Sequence, residues 1–271
     1  LQFFYNGQQG DEPAMVGKMK SGQLDGAAVS CVGLSKIHRP ILALQLPGLF
    51  TSWSKLDAAR NAMKGEFDGG LDTAGFSNLG WLDIGIANIL SKGFPVYSPE
   101  DIRGKKPFLW RDDPMQAALY QSIGGVTPVP LNIPEVLPNL NTGAINIVIA
   151  SPLFAEQLQW AAKLDTIFDD PWAVLVGALV MSKKRMDALS LDLRQIVIDT
   201  GKVAASALTT RIRNEDTAAL GRLKKGRTVG SMPAANRTQW SALFKQVRTK
   251  LSTNSNTFDP ALIAKLEGYA K

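Results

Sequence analysis

Residues 108–150, FLWRDDPMQAALYQSIGGVTPVPLNIPEVLPNLNTGAINIVIA, contain three short apolar runs separated by two helical patterns. The runs are Phe108–Trp110, Val126–Leu131 and Ile145–Ala150. The first helical pattern begins at Asp113-Pro114 and the second near Pro134-Glu135, and a glycine follows the end of each. Proline in the first turn and glycine after the last turn are typical helix boundaries. Strands that alternate with helices in this way predict an α/β fold with largely parallel sheets.

The alternation continues on both sides of this stretch. Asp11-Glu12-Pro13 predicts the start of a helix, and Leu24–Ser30 predicts a buried strand of small residues. Ser54 and Asp57 have the spacing of a capping box in front of another helix. Val174–Val180 is a continuous apolar run, as expected for a strand in the middle of a parallel sheet. The stretch from Ser190 to about Leu223 lacks proline and predicts one or two long helices.

Composition indicates an ordinary globular protein. The chain has 271 residues, of which 45% are hydrophobic and 20% are charged. Its longest apolar runs fall well short of the roughly 20 residues that span a bilayer, which predicts a soluble chain. The net charge is +6, but the basic residues are scattered, and the densest group is Arg222, Lys224, Lys225 and Arg227. We interpret this group as a solvated surface and expect no binding to nucleic acid.

Residue counts exclude several kinds of catalytic site. The chain has one cysteine, Cys31, and one histidine, His38. They are too few for a His/Cys zinc site and do not suggest a Cys/His nucleophile pair. His38 precedes Arg39-Pro40, so we expect it in a surface loop. The serines show no Gly-x-Ser-x-Gly spacing, and we therefore favour a binding protein without cofactor or metal over an enzyme.

The carboxylates and tryptophans each allow two interpretations. Asp112-Asp113 precedes a proline, where an aspartate is more often a helix cap than a general acid or base. Trp81 and Trp110 each lie at the C-terminal end of a predicted strand, at the edge where open α/β sheets bind ligands. Core packing explains the two tryptophans equally well. On these residues alone, the sequence predicts a soluble α/β protein with a cleft.

Several segments resemble the solute-binding subunits of tripartite ATP-independent periplasmic (TRAP) transporters. They are similar to the family's glycine–acid turn, its "G-x-L-D-G" entry to a strand, its "LP-x-LF" motif, its "DL-K-G-x-K" run, its "G-A-x-P-x-P" and "T-G" motifs and its "L-P-x-D-L" helix start. In chain order the segments are Gly7–Glu12 with Met15, Lys18–Gly26, Leu46–Phe50, Glu100–Lys106, Ile123–Pro130, Glu135-Val136, Leu140–Ala144 and Ser182 onward with Leu189–Leu193.

The resemblance implies a two-lobed periplasmic-binding-protein fold of type II-like architecture, with a long helix spanning the lobes. We expect residues 1–85 plus 176–213 in lobe I and residues 86–175 plus 214–271 in lobe II. The implied role is a periplasmic receptor that delivers a small ligand to TRAP membrane subunits and catalyses nothing. The run Leu1–Tyr5 predicts a strand, and the resemblance implies that it is the family's second strand. The signal peptide and the first strand–helix unit would then be absent from this chain.

The resemblance also suggests pocket residues. The family holds a substrate carboxylate with an arginine on the strand after "G-x-K", where this chain has Phe108–Trp110 and the nearest arginine is Arg111. Two ligand classes stay open: an organic acid bound by Arg111, or an apolar or aromatic ligand between the tryptophans. A sensing or protein-interaction receptor and, less favoured, an enzyme on the same scaffold are the alternatives to transport. The candidate ligand-binding residues are Glu12, Ser30, Trp81, Asp83, Trp110, Arg111, Ile133 and Ser151.

Overall fold

A computed structural model describes residues 2–5, 7–254 and 257–270. The strands are β1 (Gly26–Ser30), β2 (Phe76–Ser91), β3 (Phe108–Trp110), β4 (Val129–Leu131), β5 (Ile147–Ala150), β6 (Thr166–Phe168), β7 (Ala173–Ser182) and β8 (Thr228–Gly230). The helices are α1 (Glu12–Ser21), α2 (Cys31–Ser35), α3 (Trp53–Thr73), α4 (Pro114–Ile123), α5 (Ile133–Thr142), α6 (Pro152–Gln157), α7 (Lys183–Asp187), α8 (Leu191–Lys225), α9 (Ala234–Thr249) and α10 (Pro260–Tyr269).

Strand β2 connects the two halves of the molecule. From Phe76 to Ala87 it pairs with β7, whose other edge pairs with β1. From Asn88 to Ser91 it pairs instead with β5, and its last two residues also pair with β6. One continuous strand thus leaves the first sheet and enters the second between Ala87 and Asn88. The chain has a two-lobed α/β fold, as expected.

The prediction of largely parallel sheets was wrong. The pairs β1–β7, β2–β7, β2–β5 and β2–β6 are all antiparallel, whereas β3–β4 and β6–β8 are parallel. A continuous apolar run such as Val174–Val180 reports burial on both faces of a strand. It does not report the direction of the neighbouring strand, since β7 is buried between two antiparallel partners.

Two further local predictions need correction. The predicted strand Leu1–Tyr5 is not formed by its described part: residues 2–5 lie outside the strands of the described chain and are exposed, and Leu1 lies outside the described residues. Helix α3 begins at Trp53 after Ser52, so Ser54 and Asp57 lie inside it and form no capping box. Asp57 instead pairs with Arg60 and Arg213.

Helix α8 is one unbroken helix of 35 residues that packs along β2. Glycines allow the close approach: a Cβ at Gly201 would lie 2.9 Å from the carbonyl oxygen of Leu79, and a Cβ at Gly80 would collide with Ala205. Further along, the Asp216 carboxylate accepts hydrogen bonds from the backbone N–H groups of Ile86 and Leu153. Helix α8 therefore braces β2 along the length that includes its passage between sheets.

The described residues form two hydrophobic clusters. The smaller includes Trp160 and lies among β3, β5, β6 and the helices near them, and the larger contains most of the remaining buried apolar residues. Helix ends follow the sequence signals in several places, since Asp11 caps α1, Gly22 ends it in a left-handed conformation and Asp113 caps α4. Within the described ranges, we find no helix both long and apolar enough to cross a membrane.

Candidate ligand cavity

A cavity of about 100 Å³ lies beside the passage of β2 between the sheets. Ile84 and Ala87 of β2, Ala173 and Leu175 of β7 and Ile149 of β5 form its apolar floor. Further walls come from both halves of the chain, from the α1–α2 region and from β3 and α4. Among the described residues of the lining, five are aromatic: Phe108, Trp110, Phe154, Trp160 and Trp172.

The aromatic walls are fixed by other rings. Trp160 packs edge-on against Phe108 and Phe154, with ring centroids 5.9 and 5.5 Å away. Trp172 packs edge-on against Trp240 and Phe244 of α9, at 5.0 and 4.8 Å. Edge-to-face packing of this kind restricts the orientation of each ring. These walls are therefore formed before any ligand enters.

Trp110 has a polar anchor. Its indole Nε1–H donates a hydrogen bond of 2.9 Å to Oδ2 of Asp11, the residue that caps α1. Its backbone N–H donates to the side-chain oxygen of Gln116, another cavity residue. This tryptophan connects β3 to the loop before α1.

The first polar group of the cavity is the carboxylate of Glu12. It accepts hydrogen bonds from the backbone N–H of Ser30, the Ser30 hydroxyl at 2.6 Å and the backbone N–H of Gly33. A side chain at Gly33 would collide with this carboxylate, so glycine permits the contact. Burial raises the pKa of Glu12 to about 7, although the hydrogen bonds from Ser30 and Gly33 oppose the rise.

The second carboxylate is that of Asp113, which is only 7% exposed. Its Oδ1 accepts hydrogen bonds from the backbone N–H groups of Met115 and Gln116 and thereby caps α4. Burial raises its pKa to about 6, against the effect of these two hydrogen bonds. Both hydrogen bonds end on Oδ1, which leaves Oδ2 as an acceptor.

Gln45 adds an unsatisfied amide. The residue is 7% exposed, and its Oε1 has no hydrogen-bond partner in the described chain. A buried amide oxygen without a partner costs free energy, on the order of 1–3 kcal/mol. A ligand that donates a hydrogen bond to this oxygen would recover that cost.

Four of the eight candidate residues line the cavity, namely Glu12, Ser30, Trp110 and Ile133. The structure brings them together from α1, β1, β3 and α5. The Ser30 hydroxyl both donates to Glu12 and accepts from the N–H of Val32, so it supports Glu12 and caps α2.

The other four candidates lie elsewhere. Asp83 is buried in an ion-pair network with Arg60 and Arg213. Trp81 packs on α3, where its Nε1–H donates to Asp68. Arg111 lies at the surface, with 53% of its side chain exposed, and pairs with Glu135.

Ser151 is fully buried beside the cavity but outside its lining. Its hydroxyl donates to the carbonyl oxygen of Ile84 and accepts from the N–H of Phe154, so it caps α6 and holds that helix to β2. Its contacts are structural, like those of Asp83.

The histidine lies in a loop, as predicted, but its side chain is partly buried. His38 comes just before a 3₁₀ turn, Arg39–Gln45, and its ring packs against Gly70 of α3. Its Nε2 is buried without a hydrogen-bond partner in the described chain, and burial lowers its pKa. The ring lies away from the cavity lining.

Sequence reasoning missed Gln45, Asp113, Trp160 and Trp172 as cavity residues. The sequence contained one indication for Asp113, because this residue comes shortly after Trp110, the last residue of a predicted strand. Asp113 was correctly predicted as a helix cap, but that role did not show that the residue also lies in the cavity wall. The described residues contain no group of three or more His, Cys, Asp or Glu side chains placed to hold a metal ion.

Residues 1–254 match the profile of DctP, the bacterial extracellular solute-binding protein family 7. A solute-binding protein of Chromohalobacter salexigens is 26% identical over 144 residues, which are 53% of this chain and 42% of that relative. The chain spans about half the length of the curated relatives it matches.

Solved structures share the fold. A TRAP periplasmic solute-binding protein from Sulfitobacter sp. NAS-14.1, crystallised with bound β-D-galacturonate, superimposes with a TM-score of 0.89 at 19% identity. The likeness covers 98% of this chain and 88% of that one. A TRAP periplasmic solute-binding protein from Shewanella oneidensis with bound succinate gives a TM-score of 0.89 at 21% identity, over 100% of this chain and 88% of the other.

Proposed function

Because the chain belongs to family 7 of the bacterial extracellular solute-binding proteins, we propose that it is the solute-binding subunit of a TRAP-type transporter. In this proposal it acts in the periplasm, encloses a small organic molecule in the cavity and delivers it to membrane subunits. The observation that carries the proposal is the cavity itself. Its walls are preformed and mainly apolar, and they carry a few converging polar groups, as is typical of small-molecule sites.

Two contacts support a closing mechanism. The Trp110–Asp11 hydrogen bond and the 2.7 Å ion pair between Lys36 and Asp112 both join the β3–α4 region to the α1–α2 region. If the lobes divide as the sequence predicts, at 1–85 plus 176–213 and 86–175 plus 214–271, both contacts cross the cleft. A ligand that contacts both lobes would then bind the closed state more tightly than the open state, and this difference in affinity would shift the equilibrium towards closure.

The strand β2 offers a site for the accompanying bend. Its pairing with β7 is irregular between Asp83 and Gly85, and Gly85 has a φ of 141°, which favours glycine. A side chain at Gly85 would collide with Ser151 and Asp216. Bulges change the direction of a strand, and this one lies just before the passage between sheets.

We also infer that the bound molecule leaves unchanged. The relatives are transporter solute-binding proteins, and in this cavity the Ser30 hydroxyl is held by Glu12 and the N–H of Val32. The hydrogen bond from Val32 caps α2, which gives this hydroxyl a structural role. Recovery of an intact ligand after prolonged incubation, by mass spectrometry, would support this inference, and a time-dependent product would oppose it.

Ligand-induced thermal stabilisation tests the receptor proposal. The panel should include galacturonate and succinate, which the solved relatives bind, together with amines and neutral alcohols. A ligand at 100 times its Kd adds about 2.7 kcal/mol to the free energy of unfolding, which corresponds to a Tm increase of roughly 5–10 °C for a chain of this size.

Two alanine-to-leucine variants test whether the ligand binds in the cavity. Ala173 lines the cavity and is buried, so Ala173→Leu fills part of the space, whereas Ala234→Leu changes an exposed position at the start of α9. We expect Ala173→Leu to lose the stabilisation and Ala234→Leu to keep it. If no panel member stabilises the chain, or if both variants respond alike, the receptor proposal fails.

A further inference from the structure

The cavity lining holds two carboxyl groups and no base. Among its described residues, Glu12 and Asp113 are the ionisable side chains, and lysine, arginine and histidine are absent. Building on the proposed receptor function, we infer that the cavity takes up a small monocarboxylate together with one proton, which the ligand shares with the side chain of Asp113. The protonated Asp113 carboxyl group donates its O–H to the ligand carboxylate, in place of the guanidinium that this lining lacks.

Of the two acids, Asp113 has the oxygen that is free to bind a ligand. The Glu12 carboxylate is already occupied, since it accepts hydrogen bonds from the N–H groups of Ser30 and Gly33 and from the Ser30 hydroxyl. Asp113 receives both of its hydrogen bonds on Oδ1, from two backbone N–H groups of α4. Within the described chain no donor reaches its Oδ2. A proton on Oδ2 therefore leaves the helix cap intact.

The surroundings of Asp113 favour its protonated form. Burial raises the pKa of Asp113 to about 6, although the two hydrogen bonds from α4 oppose the rise. A ligand carboxylate beside it acts in the same direction, because two carboxylates in one enclosed site do not both stay ionised. The complex therefore retains a proton at a pH at which free Asp113 is largely ionised. An O–H donor paired with a carboxylate forms a short, strong hydrogen bond.

The other acidic groups around Asp113 do not replace it as the proton donor. Cys31 of α2 and Tyr120 of α4 both lie within its electrostatic influence, and burial raises the pKa of each side chain. Both therefore stay neutral near pH 7 and add no charge. Glu12 of α1, whose pKa burial raises to about 7, keeps its hydrogen bonds to β1 and α2.

The bases nearest to Asp113 are already paired. Lys36 forms a 2.7 Å ion pair with Asp112, and Arg60 binds two carboxylates of the ion-pair network. Arg111 lies at the surface and pairs with Glu135. None of the three belongs to the cavity lining. An entering carboxylate thus meets the Asp113 carboxyl group without a competing cation.

The remaining lining restricts the body of the acid. The floor of the cavity is apolar, its aromatic walls are preformed, and its volume is about 100 Å³. These features suit one carboxyl group on a compact branched or aromatic body. A second carboxylate would be buried without a partner, which is costly. A hydroxyl group on the ligand would satisfy Oε1 of Gln45, which has no partner in the described chain.

Calorimetric titration of the full chain at pH 6, 7 and 8 tests proton uptake. The probes are 3-methylbutanoate and its neutral isostere 3-methylbutanamide, each measured in two buffers with different ionisation enthalpies. The complex with the acid holds one proton more than the separate partners, so its affinity should fall as the pH rises. We expect a loss of at least about tenfold from pH 6 to pH 8, and uptake of close to one proton per bound acid at pH 7. The affinity for the amide should change less than about twofold.

The variant Asp113→Asn gives the sharpest test. Asparagine caps helices as well as aspartate does, so its Oδ1 keeps the two hydrogen bonds from α4. Its NH₂ group then takes the position of Oδ2 and donates to the ligand at any pH. We expect the variant to bind 3-methylbutanoate with nearly the same affinity at pH 6 and pH 8. At pH 8 it should bind about tenfold more tightly than the parent chain.

Two other variants are controls for the change of an acid to its amide. Glu135→Gln alters an exposed acid on α5 and should keep the pH dependence of the parent chain. Glu12→Gln should keep it as well, because the oxygens of Glu12 are occupied by other donors. A pH dependence that disappears in Glu12→Gln and persists in Asp113→Asn would overturn the assignment to Asp113.

The outcomes distinguish proton uptake from the receptor function itself. No binding of 3-methylbutanoate, an affinity that does not change with pH, or binding without proton uptake overturns the inference. Weaker binding of the acid by Asp113→Asn than by the parent chain at pH 8 overturns it too. In each case, stabilisation by another panel ligand that Ala173→Leu abolishes would leave the receptor proposal intact.

Discussion

The substitution Asp83→Asn tests whether this candidate residue is structural. The Asp83 side chain is fully buried, and its two oxygens accept hydrogen bonds of 2.6 Å from Arg60 Nη1 and Arg213 Nε. Arg213 lies in α8 and Asp83 in β2, so the carboxylate ties the long helix to the strand that passes between the two sheets. Asparagine keeps the shape and removes the charge.

The structure sets the expected magnitude. Removing one member of a buried ion pair costs about 3–5 kcal/mol, because its partner stays buried without compensation. In the variant, Arg60 and Arg213 both retain their ion pairs with Asp57, and a quarter of the Arg213 side chain is exposed to solvent. We therefore expect the lower end, about 3 kcal/mol, which corresponds to a Tm decrease of roughly 6–12 °C.

Urea denaturation followed by circular dichroism gives the free energy of unfolding. Asp57→Asn is the matched control, since it removes the other carboxylate of the network, which is one-third exposed. We expect it to cost about 1 kcal/mol, as for a partly solvated pair. A double-mutant cycle between Asp83→Asn and Arg213→Gln should show a coupling energy of about 1–3 kcal/mol. A cost below about 1 kcal/mol for Asp83→Asn, or costs that simply add, would refute the reasoning.

Three further predictions concern a packing contact, the two buried acids and the surface arginine. Gly70→Ala should destabilise the chain by about 1–2 kcal/mol, because the new methyl group collides with the His38 ring. The control Gly69→Ala adds a methyl group in open space on the same helix and should stabilise the chain by about 0.5–1 kcal/mol. Thermal denaturation distinguishes the two outcomes. The raised pKa values of Glu12 and Asp113 mean that the folded state holds their protons more tightly. Without ligand, their contribution to stability should therefore be present below pH 4 and should fall as the pH rises to about 7. Denaturation across this range should show a flatter profile for Glu12→Gln combined with Asp113→Asn, and an unchanged slope would contradict the prediction. Arg111→Ala should change ligand affinity, measured by calorimetry, less than about twofold, since an exposed ion pair contributes little; a tenfold loss would restore Arg111 as a ligand group.

Local sequence signals predicted much of the secondary structure. Helix α4 begins at its predicted proline, and α1 begins after Asp11 as predicted. The absence of proline from Ser190 to about Leu223 predicted one or two long helices, and α8 is one. Helix boundaries depend on interactions between residues that are close in the sequence, so sequence patterns predict them directly. The family resemblance supplied the two-lobed fold, which local patterns alone do not specify.

The direction of strand pairing escaped prediction because it depends on residues far apart in the chain. The strand β7 pairs with β2 from Phe76↔Ser182 to Ala87↔Ala173, about a hundred residues away. Its continuous apolar character is the same for a parallel or an antiparallel neighbour.

The candidate site was predicted only in part for a related reason. Four candidates lie in or shortly after segments that resemble the family's motifs, and the structure brings them together in the cavity lining: Glu12, Ser30, Trp110 and Ile133. Asp83 is a polar residue in an apolar strand, and its sequence does not reveal that two arginines from α3 and α8 would reach it. Burial of a charge predicts either a site or an ion pair, and only the tertiary structure distinguishes them.

A crystal structure of the chain with its tightest-binding panel ligand tests the central claim most directly. We predict one molecule per chain in the cavity, with its charged or polar end within about 3 Å of Asp113 or Glu12 and its apolar part against Trp110, Trp160 and Trp172. The hydrogen bond between Trp110 and Asp11 should still be present in the complex. A ligand bound elsewhere on the surface, with the cavity filled by water or by side chains, would contradict the account.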